Sequence, residues 1–186
     1  WSAREAVRTP ALWMLTLSTS LIVMAFMALS THLAPYLIDR GVNSGLAALT
    51  IVVGGLVMIP ASLAWGWLLD HVAPRKLVAA TAAFTIALIR VLAAVNGAWV
   101  VAPVGLIWGI GSASTGTVQR VVFPYYFGRE SAGTVLGIVT PFRVVSQGAG
   151  ILLAGVFYDA TGSYVSIFWL FTAFSVVAAS VEHLTP

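Results

Sequence analysis

Six long apolar runs limit what this chain can fold into more than any other feature of its sequence. They lie at about 11–38, 45–69, 77–95, 98–125, 133–158 and 164–181. A helix that crosses a hydrocarbon layer about 30 Å thick needs about 20 apolar residues. The strands of a membrane barrel would alternate apolar and polar residues, and these runs do not. The runs therefore predict an all-α membrane protein, a single domain over residues 1–186 with six transmembrane helices.

Composition excludes several functional classes. Hydrophobic residues make up 60% of the chain and charged residues 8%, against about 25% charged residues in soluble domains. The nine basic residues are dispersed, so no nucleic-acid partner is expected. The chain has no cysteine and its three histidines stand far apart, so we expect neither a metal site nor a cofactor. No Ser-His-Asp arrangement can be assembled across the runs, and we expect no enzyme activity.

The basic residues outside the runs indicate the orientation in the membrane. With the N-terminus inside, five of them are cytoplasmic and Arg40 alone is outside. The five are Arg4, Arg8, Arg75, Lys76 and Arg129. The positive-inside rule then predicts that both termini are cytoplasmic, in a cell (inner) membrane. Because the chain begins with Trp1 and not with Met, we expect it to be a segment of a longer protein.

A cluster of charges in the second connector has a partner elsewhere in the chain. The segment GWLLDHVAPRK (66–76) contains Gly66 and Asp70, and the same two residue types recur 89 positions later as Gly155 and Asp159. Each pair closes the middle run of a group of three. Since three is an odd number of crossings, the second group is inverted relative to the first, which predicts two inverted three-helix repeats.

The same segment resembles the loop motif of the major facilitator superfamily, G-x-x-x-D-R-x-G-R-R. Gly66, Asp70, Arg75 and Lys76 fit that motif, whereas His71, Ala73 and Pro74 depart from it. The resemblance implies that the four matching residues form a latch that stabilises one conformation of a transporter. The alternative is that Asp70 caps its own loop, and that Arg75 and Lys76 only fix the topology.

Three further segments resemble the C-terminal half of monocarboxylate-porter and oxalate/formate-antiporter relatives. They are THLAPYLIDRGVNSGLAA (31–48), YYFGRESAGTVLGI (125–138) and GILLAGVFYDATGSY (150–164). The resemblance implies the C-terminal six helices of a twelve-helix transporter, with the N-terminal six-helix half as their partner. It also implies that the first and fourth helices line a central cavity.

One arginine is predicted to lie near the middle of the membrane. Arg143 follows Gly133 by ten residues, which is about 15 Å along a helix. Thr140, Arg143, Gln147 and Gly150 share its helical face. All six acidic residues of the chain lie at the ends of runs or in connectors: Glu5, Asp39, Asp70, Glu130, Asp159 and Glu182. The counter-charge of Arg143 is therefore expected to be an anionic substrate, or a carboxylate of the other half, because arginine pairs bidentately with carboxylates.

Four other side chains are candidates for the substrate site. Arg120 and Gln119 belong to a run that is too polar for a helix surrounded by lipid. His32 and Tyr36 are four residues apart with Pro35 between them. They are either contacts for a substrate or a proton, or members of the aromatic belt at the membrane surface.

These observations predict a secondary active transporter that moves a small organic anion, a mono- or dicarboxylate, by alternating access. Its expected partners are that anion, membrane lipid and the N-terminal half. An efflux carrier for drugs or other metabolites remains an alternative. So does a non-transporting membrane receptor or subunit on the same fold.

Overall fold

The structure, a computed structural model, describes residues 3–94 and 97–184. Within these residues seven α-helices follow one another, and a single 3-10 turn at Ala98–Val100 precedes the fifth helix. They are α1 (Ala3–Val7), α2 (Pro10–Asp39), α3 (Ser44–His71), α4 (Pro74–Ala93), α5 (Val101–Phe127), α6 (Ala132–Thr161) and α7 (Val165–Leu184). The predicted all-α class is confirmed for the described residues. The ends of α2 to α7 lie within three residues of the predicted runs.

Five helices, α2 to α6, are long and apolar enough to cross a membrane. The chain is thus an integral membrane protein. The sixth predicted span coincides with α7, whose apolar segment within the described residues, Ile167–Ala178, is shorter. The prediction of six spans is therefore supported for five helices.

Local signals explain where the helices begin and end. The hydroxyl of Thr9 accepts a hydrogen bond from the backbone N–H of Leu12 and caps α2, and Pro10 occupies its first turn. The side chain of Asn43 accepts from the N–H of Gly45 and caps α3. Gly162, with φ 64°, ends α6 in the left-handed conformation that glycine adopts without strain.

Pairs of helices that are distant in sequence form the main contacts. α3 packs against α5, and α6 packs against α2. In addition, α4 contacts α5, α7 contacts α2, and α4 and α7 contact each other. Small residues let two of these pairs approach closely. A Cβ atom at Gly54 of α3 would overlap the ring of Trp108 in α5, and one at Gly150 of α6 would overlap the backbone carbonyl of Met24 in α2.

The helices end at two opposite sides of the bundle. Tyr36 near the end of α2 bonds to Leu92 near the end of α4, and Tyr158 near the end of α6 bonds to Asp39. We call this side the Arg40 end. The opposite side, where α3 ends, is called the Asp70 end.

Burial differs strongly among the spans. In α2, 72% of the residues in its most apolar segment are buried, against 22% in α3 and 17% in α6. Many of the exposed residues of α3 and α6 are large and apolar, such as Leu63 and Leu152. Such surface suits lipid or further helices and does not suit water.

Candidate functional site

The polar stripe of α6 starts beside a break in the backbone hydrogen bonding. Pro141 has no N–H, so the carbonyl of Gly137 lacks its donor within the helix. One residue earlier, the hydroxyl of Thr140 donates to the carbonyl of Leu136 at 2.6 Å. Arg143 and Gln147 are half-buried, and Gly150 is buried against α2. The stripe therefore runs from an exposed position into the α2–α6 contact.

Arg120 of α5 lies close enough to Arg143 for its charge to act on that of Arg143. The guanidinium of Arg120 lies beside Gly116, with Nη2 3.6 Å from the position of a Cβ atom there. The fold thus brings together two of the predicted site residues from different helices. Arg120 is exposed and Arg143 is half-buried. Two nearby cations repel each other, and an anion between them offsets that repulsion. The side chain of Gln119 lies outside the described residues.

His32 lies at a different level from Arg143. Its Nδ1 is 3.1 Å from the hydroxyl of Tyr164, and its Nε2 is 3.3 Å from the carbonyl of Ile151. A carbonyl can only accept, so Nε2 donates to it, and in the neutral ring Nδ1 accepts from Tyr164. Ile151 follows Arg143 by eight residues, about 12 Å along α6. The structure therefore places His32 towards the Arg40 end, away from the two arginines.

Tyr36 lies in the core. It is 3% exposed, and its hydroxyl donates to the carbonyl of Leu92 at 2.7 Å. The guanidinium of Arg40 sits 5.2 Å from the centre of its ring, and the rings of Tyr164 and Phe168 pack against it. These contacts join α2 to α4 and α7, and they place Tyr36 away from Arg143 and Arg120.

Tyr164 links His32 to the acidic residues at the Arg40 end. Its ring stacks on that of Tyr158 at 4.4 Å, and Tyr158 donates a hydrogen bond of 2.7 Å to Asp39. Burial, followed by the negative charges of Asp39 and Asp159, raises the pKa of the Tyr164 hydroxyl above its usual value of 10. Tyr164 therefore stays protonated and available as a donor to His32.

The four residues of the loop motif lie at the Asp70 end. Gly66 is half-buried, with no atom near enough to hinder a Cβ, and Asp70 and Lys76 are exposed. The side chain of Arg75 lies outside the described residues. Ala73 precedes α4, and no side-chain oxygen caps that helix within the described part of the chain. Asp70 therefore does not cap α4 in this conformation.

A cleft between α2 and α6 contains residues that the sequence interpretation did not single out. It has a volume of about 490 Å³ and is lined by Trp13, Thr16, Leu17, Ser20, Pro141, Phe142, Val145 and Ser146. The sequence signal for this cleft was the spacing of Thr16 and Ser20. They are four residues apart in an apolar run and therefore lie on one helical face.

A second missed signal is a longer repeat in the sequence. The pattern Pro-Tyr-x-x-x-Arg occurs at 35–40 and again at 124–129. The offset of 89 residues is the one that separates Gly66 from Gly155. The repeated pattern closes α2 in one case and α5 in the other.

Titratable side chains of the described residues do not assemble into a metal site. Among the described residues, no group of three or more His, Asp or Glu side chains is arranged to hold a metal ion. The described residues around Arg120 and Arg143 can therefore contribute charge, hydrogen bonds and apolar contacts.

Comparison with protein families identifies the family of this chain. The family model described as Major Facilitator Superfamily matches residues 1–151. No curated protein matches the chain. The matched region extends from α1 into α6 and includes both Arg120 and Arg143.

Proposed function

The chain belongs to the Major Facilitator Superfamily, a family of membrane transporters, and from this premise we propose that it moves a small organic anion by alternating access. The observation that carries the proposal is the half-buried position of Arg143 on α6, where the charge of Arg120 on α5 also acts on it. Arg143 would bind the anion directly, with Arg120 and Gln147 beside it. Gln119 remains a candidate for the same site.

The cost of burying arginine supports an anionic ligand. An arginine near the centre of a transmembrane helix costs at least about 2.5–3.5 kcal/mol, and a second arginine nearby adds repulsion. A carboxylate offsets both costs through two parallel charge-assisted hydrogen bonds. The resemblance of 125–138 and 150–164 to monocarboxylate-porter and oxalate/formate-antiporter relatives agrees with this choice, because these segments flank Arg143.

Two inverted repeats are part of the proposal, and the packing supports them. Exchanging α2 with α5, α3 with α6, and α4 with α7 turns the α3–α5 contact into the α6–α2 contact. The same exchange turns the α4–α5 contact into the α7–α2 contact. Apart from Leu17/Leu106 and Leu63/Leu152, five residue pairs recur at the offset of 89 positions. The pairs are Pro35/Pro124, Tyr36/Tyr125, Arg40/Arg129, Gly66/Gly155 and Asp70/Asp159.

In this proposal the six helices form the C-terminal half of a twelve-helix transporter in a cell (inner) membrane, with both termini cytoplasmic. The apolar exposed faces of α3 and α6 support contact with lipid and with the other half. The residues Gly66, Asp70, Arg75 and Lys76 then act at the cytoplasmic side as a conformational latch.

Counterflow into proteoliposomes tests the proposed substrate class. Vesicles containing the full natural protein are loaded with a panel of mono- and dicarboxylates, and exchange of labelled acid is measured for the parent and for Arg143→Gln. We expect Arg143→Gln to lower exchange at least about thirtyfold, since losing one partner of a desolvated charge pair costs about 2 kcal/mol or more.

Arg90→Gln is the matched control. Arg90 is exposed, and its guanidinium lies 5.7 Å from the centre of the Trp169 ring, so its loss should leave exchange near the parent value. Exchange of a carboxylate that survives Arg143→Gln in folded protein would contradict the proposal.

Export of apolar compounds is the second candidate function, and the apolar lining of the α2–α6 cleft favours it. An exporter of this kind would move neutral compounds and would keep its activity in Arg143→Gln. A receptor on the same fold would instead bind a labelled carboxylate without exchanging it.

A further inference from the structure

The cleft between α2 and α6 has the size and lining of a small-molecule site. Its volume of about 490 Å³ falls within the ~300–1,000 Å³ range of ligand pockets. Trp13, Leu17, Phe142 and Val145 supply apolar walls. The rings of Trp13 and Phe142 meet edge to face with centroids 5.4 Å apart, so they form one aromatic wall that spans both helices.

The cleft adjoins the arginine of the proposed site. Phe142 precedes Arg143, and Ser146 follows it by three residues. Residues three apart on a helix are neighbours on its surface, so Arg143 projects from α6 beside the cleft lining. An anion held by Arg143 would therefore have this apolar space next to it.

Ser20 adds an independent sign that the cleft takes a ligand. The residue is 6% exposed and lines the cleft, and its hydroxyl has no hydrogen-bond partner among the described residues. The neighbouring Thr16 hydroxyl, by contrast, donates to the carbonyl of Leu12 at 2.7 Å. A buried hydroxyl without a partner is unfavourable, and a polar group on a bound molecule would satisfy it.

We propose that this cleft holds the apolar body of the substrate, and that the substrate is a monocarboxylate with a ring or a medium-length alkyl tail. The inference rests on the proposed function, because it assigns the carboxylate to Arg143. A dicarboxylate would place its second charge among Trp13, Phe142 and Val145, where a charge without a partner is strongly disfavoured.

Competition in the counterflow assay tests the proposed tail. Acetate, hexanoate, phenylacetate and succinate compete with a labelled acid in the full natural protein. We expect hexanoate and phenylacetate to compete at least about tenfold better than acetate and succinate, since each buried methylene contributes measurably to selectivity. Equal competition by acetate or succinate would overturn the inference, and so would equal competition by neutral phenylacetamide.

Variants of the lining test where the tail lies. Phe142→Ala removes part of the cleft wall, and Ser20→Leu fills the cleft. Each variant should lower the preference for phenylacetate over acetate about tenfold. Leu152→Ala removes an exposed apolar side chain from the same helix and should leave the preference unchanged. A loss that is equal for all acids would assign Phe142 and Ser20 a purely structural role and overturn the inference.

A binding measurement separates this inference from the proposed function. Residues 1–186 contain no cysteine, so in a background without cysteines elsewhere Ser146→Cys introduces a single reactive thiol in the cleft. Phenylacetate should slow its modification by a thiol reagent, and acetate should not. Protection without exchange would leave the cleft assigned and contradict transport, whereas carboxylate exchange without protection would leave transport standing and overturn the cleft.

Discussion

Two tyrosines in identical sequence patterns have different surroundings. Tyr36 and Tyr125 both follow a proline and precede an arginine by four residues. Tyr36 is 3% exposed and bonded to the carbonyl of Leu92, whereas Tyr125 is 62% exposed and meets the ring of Tyr126. The pattern predicts where a helix ends, but the neighbouring helices decide whether the hydroxyl carries a structural bond.

The Tyr36→Phe substitution should therefore destabilise the protein more than Tyr125→Phe does. It removes the buried hydrogen bond of 2.7 Å to the carbonyl of Leu92, which contributes about 0.5–1.5 kcal/mol. Thermal melting in detergent measures the difference. Tyr125→Phe is the control and should melt within experimental error of the parent. Equal melting of both variants would show that the bond to Leu92 contributes nothing.

Tyr164 should make stability fall at alkaline pH. Its pKa is raised in the folded protein by burial and by the nearby carboxylates of Asp39 and Asp159. The contribution of Tyr164 to the free energy of unfolding is fully present below its pKa in the unfolded chain, about 10. It is lost as pH rises through the higher pKa of the folded protein, because the unfolded chain releases the Tyr164 proton first.

The melting temperature should consequently fall more steeply above pH 10 in the parent than in Tyr164→Phe. The comparison uses the slopes with pH, since the substitution also removes the bond to His32 at every pH. Parallel slopes for the two proteins would contradict the assigned shift.

At the scale of the helices, the contact between α3 and α5 depends on glycine. A Cβ at Gly54 would overlap the Trp108 ring, and one at Gly105 would come within 2.9 Å of Val53 Cγ1. Overpacking of this kind costs about 1–3 kcal/mol. Gly54→Ala should lower the melting temperature, whereas Gly55→Ala should not, because nothing lies within 4 Å of a Cβ there. A parent-like melting temperature for Gly54→Ala would contradict the described crossing.

Helix existence and helix ends were predictable from sequence, because apolar length and residues such as Pro10, Asn43 and Gly162 act locally. The pairing of α3 with α5 and of α6 with α2 was not predictable, since it depends on surfaces that are distant in the chain. The same holds for the site. The helical face of Arg143 and Gln147 follows from spacing, but the approach of Arg120 and the bond between His32 and Tyr164 require the packed fold.

At the scale of the whole molecule, the proposed latch should bias the direction in which the transporter opens. Residues 1–186 contain no cysteine, and in a background without cysteines elsewhere Thr140→Cys supplies a single exposed thiol on α6. Asp70→Asn should change its labelling by an impermeant reagent from the cytoplasmic side about fivefold, the lower end of typical conformational coupling. Glu130→Gln, which removes another acidic charge, is the control. An unchanged rate in Asp70→Asn would contradict the latch.

The contact of Gly54 with Trp108 has a consequence for how this protein diverges over evolutionary time. The ring occupies the volume that any larger residue at position 54 would need, so the two positions cannot change independently. Among homologues, a residue larger than glycine at position 54 should appear together with a residue smaller than tryptophan at position 108. Covariation between these positions would then record the distance between α3 and α5 in every lineage that keeps the crossing.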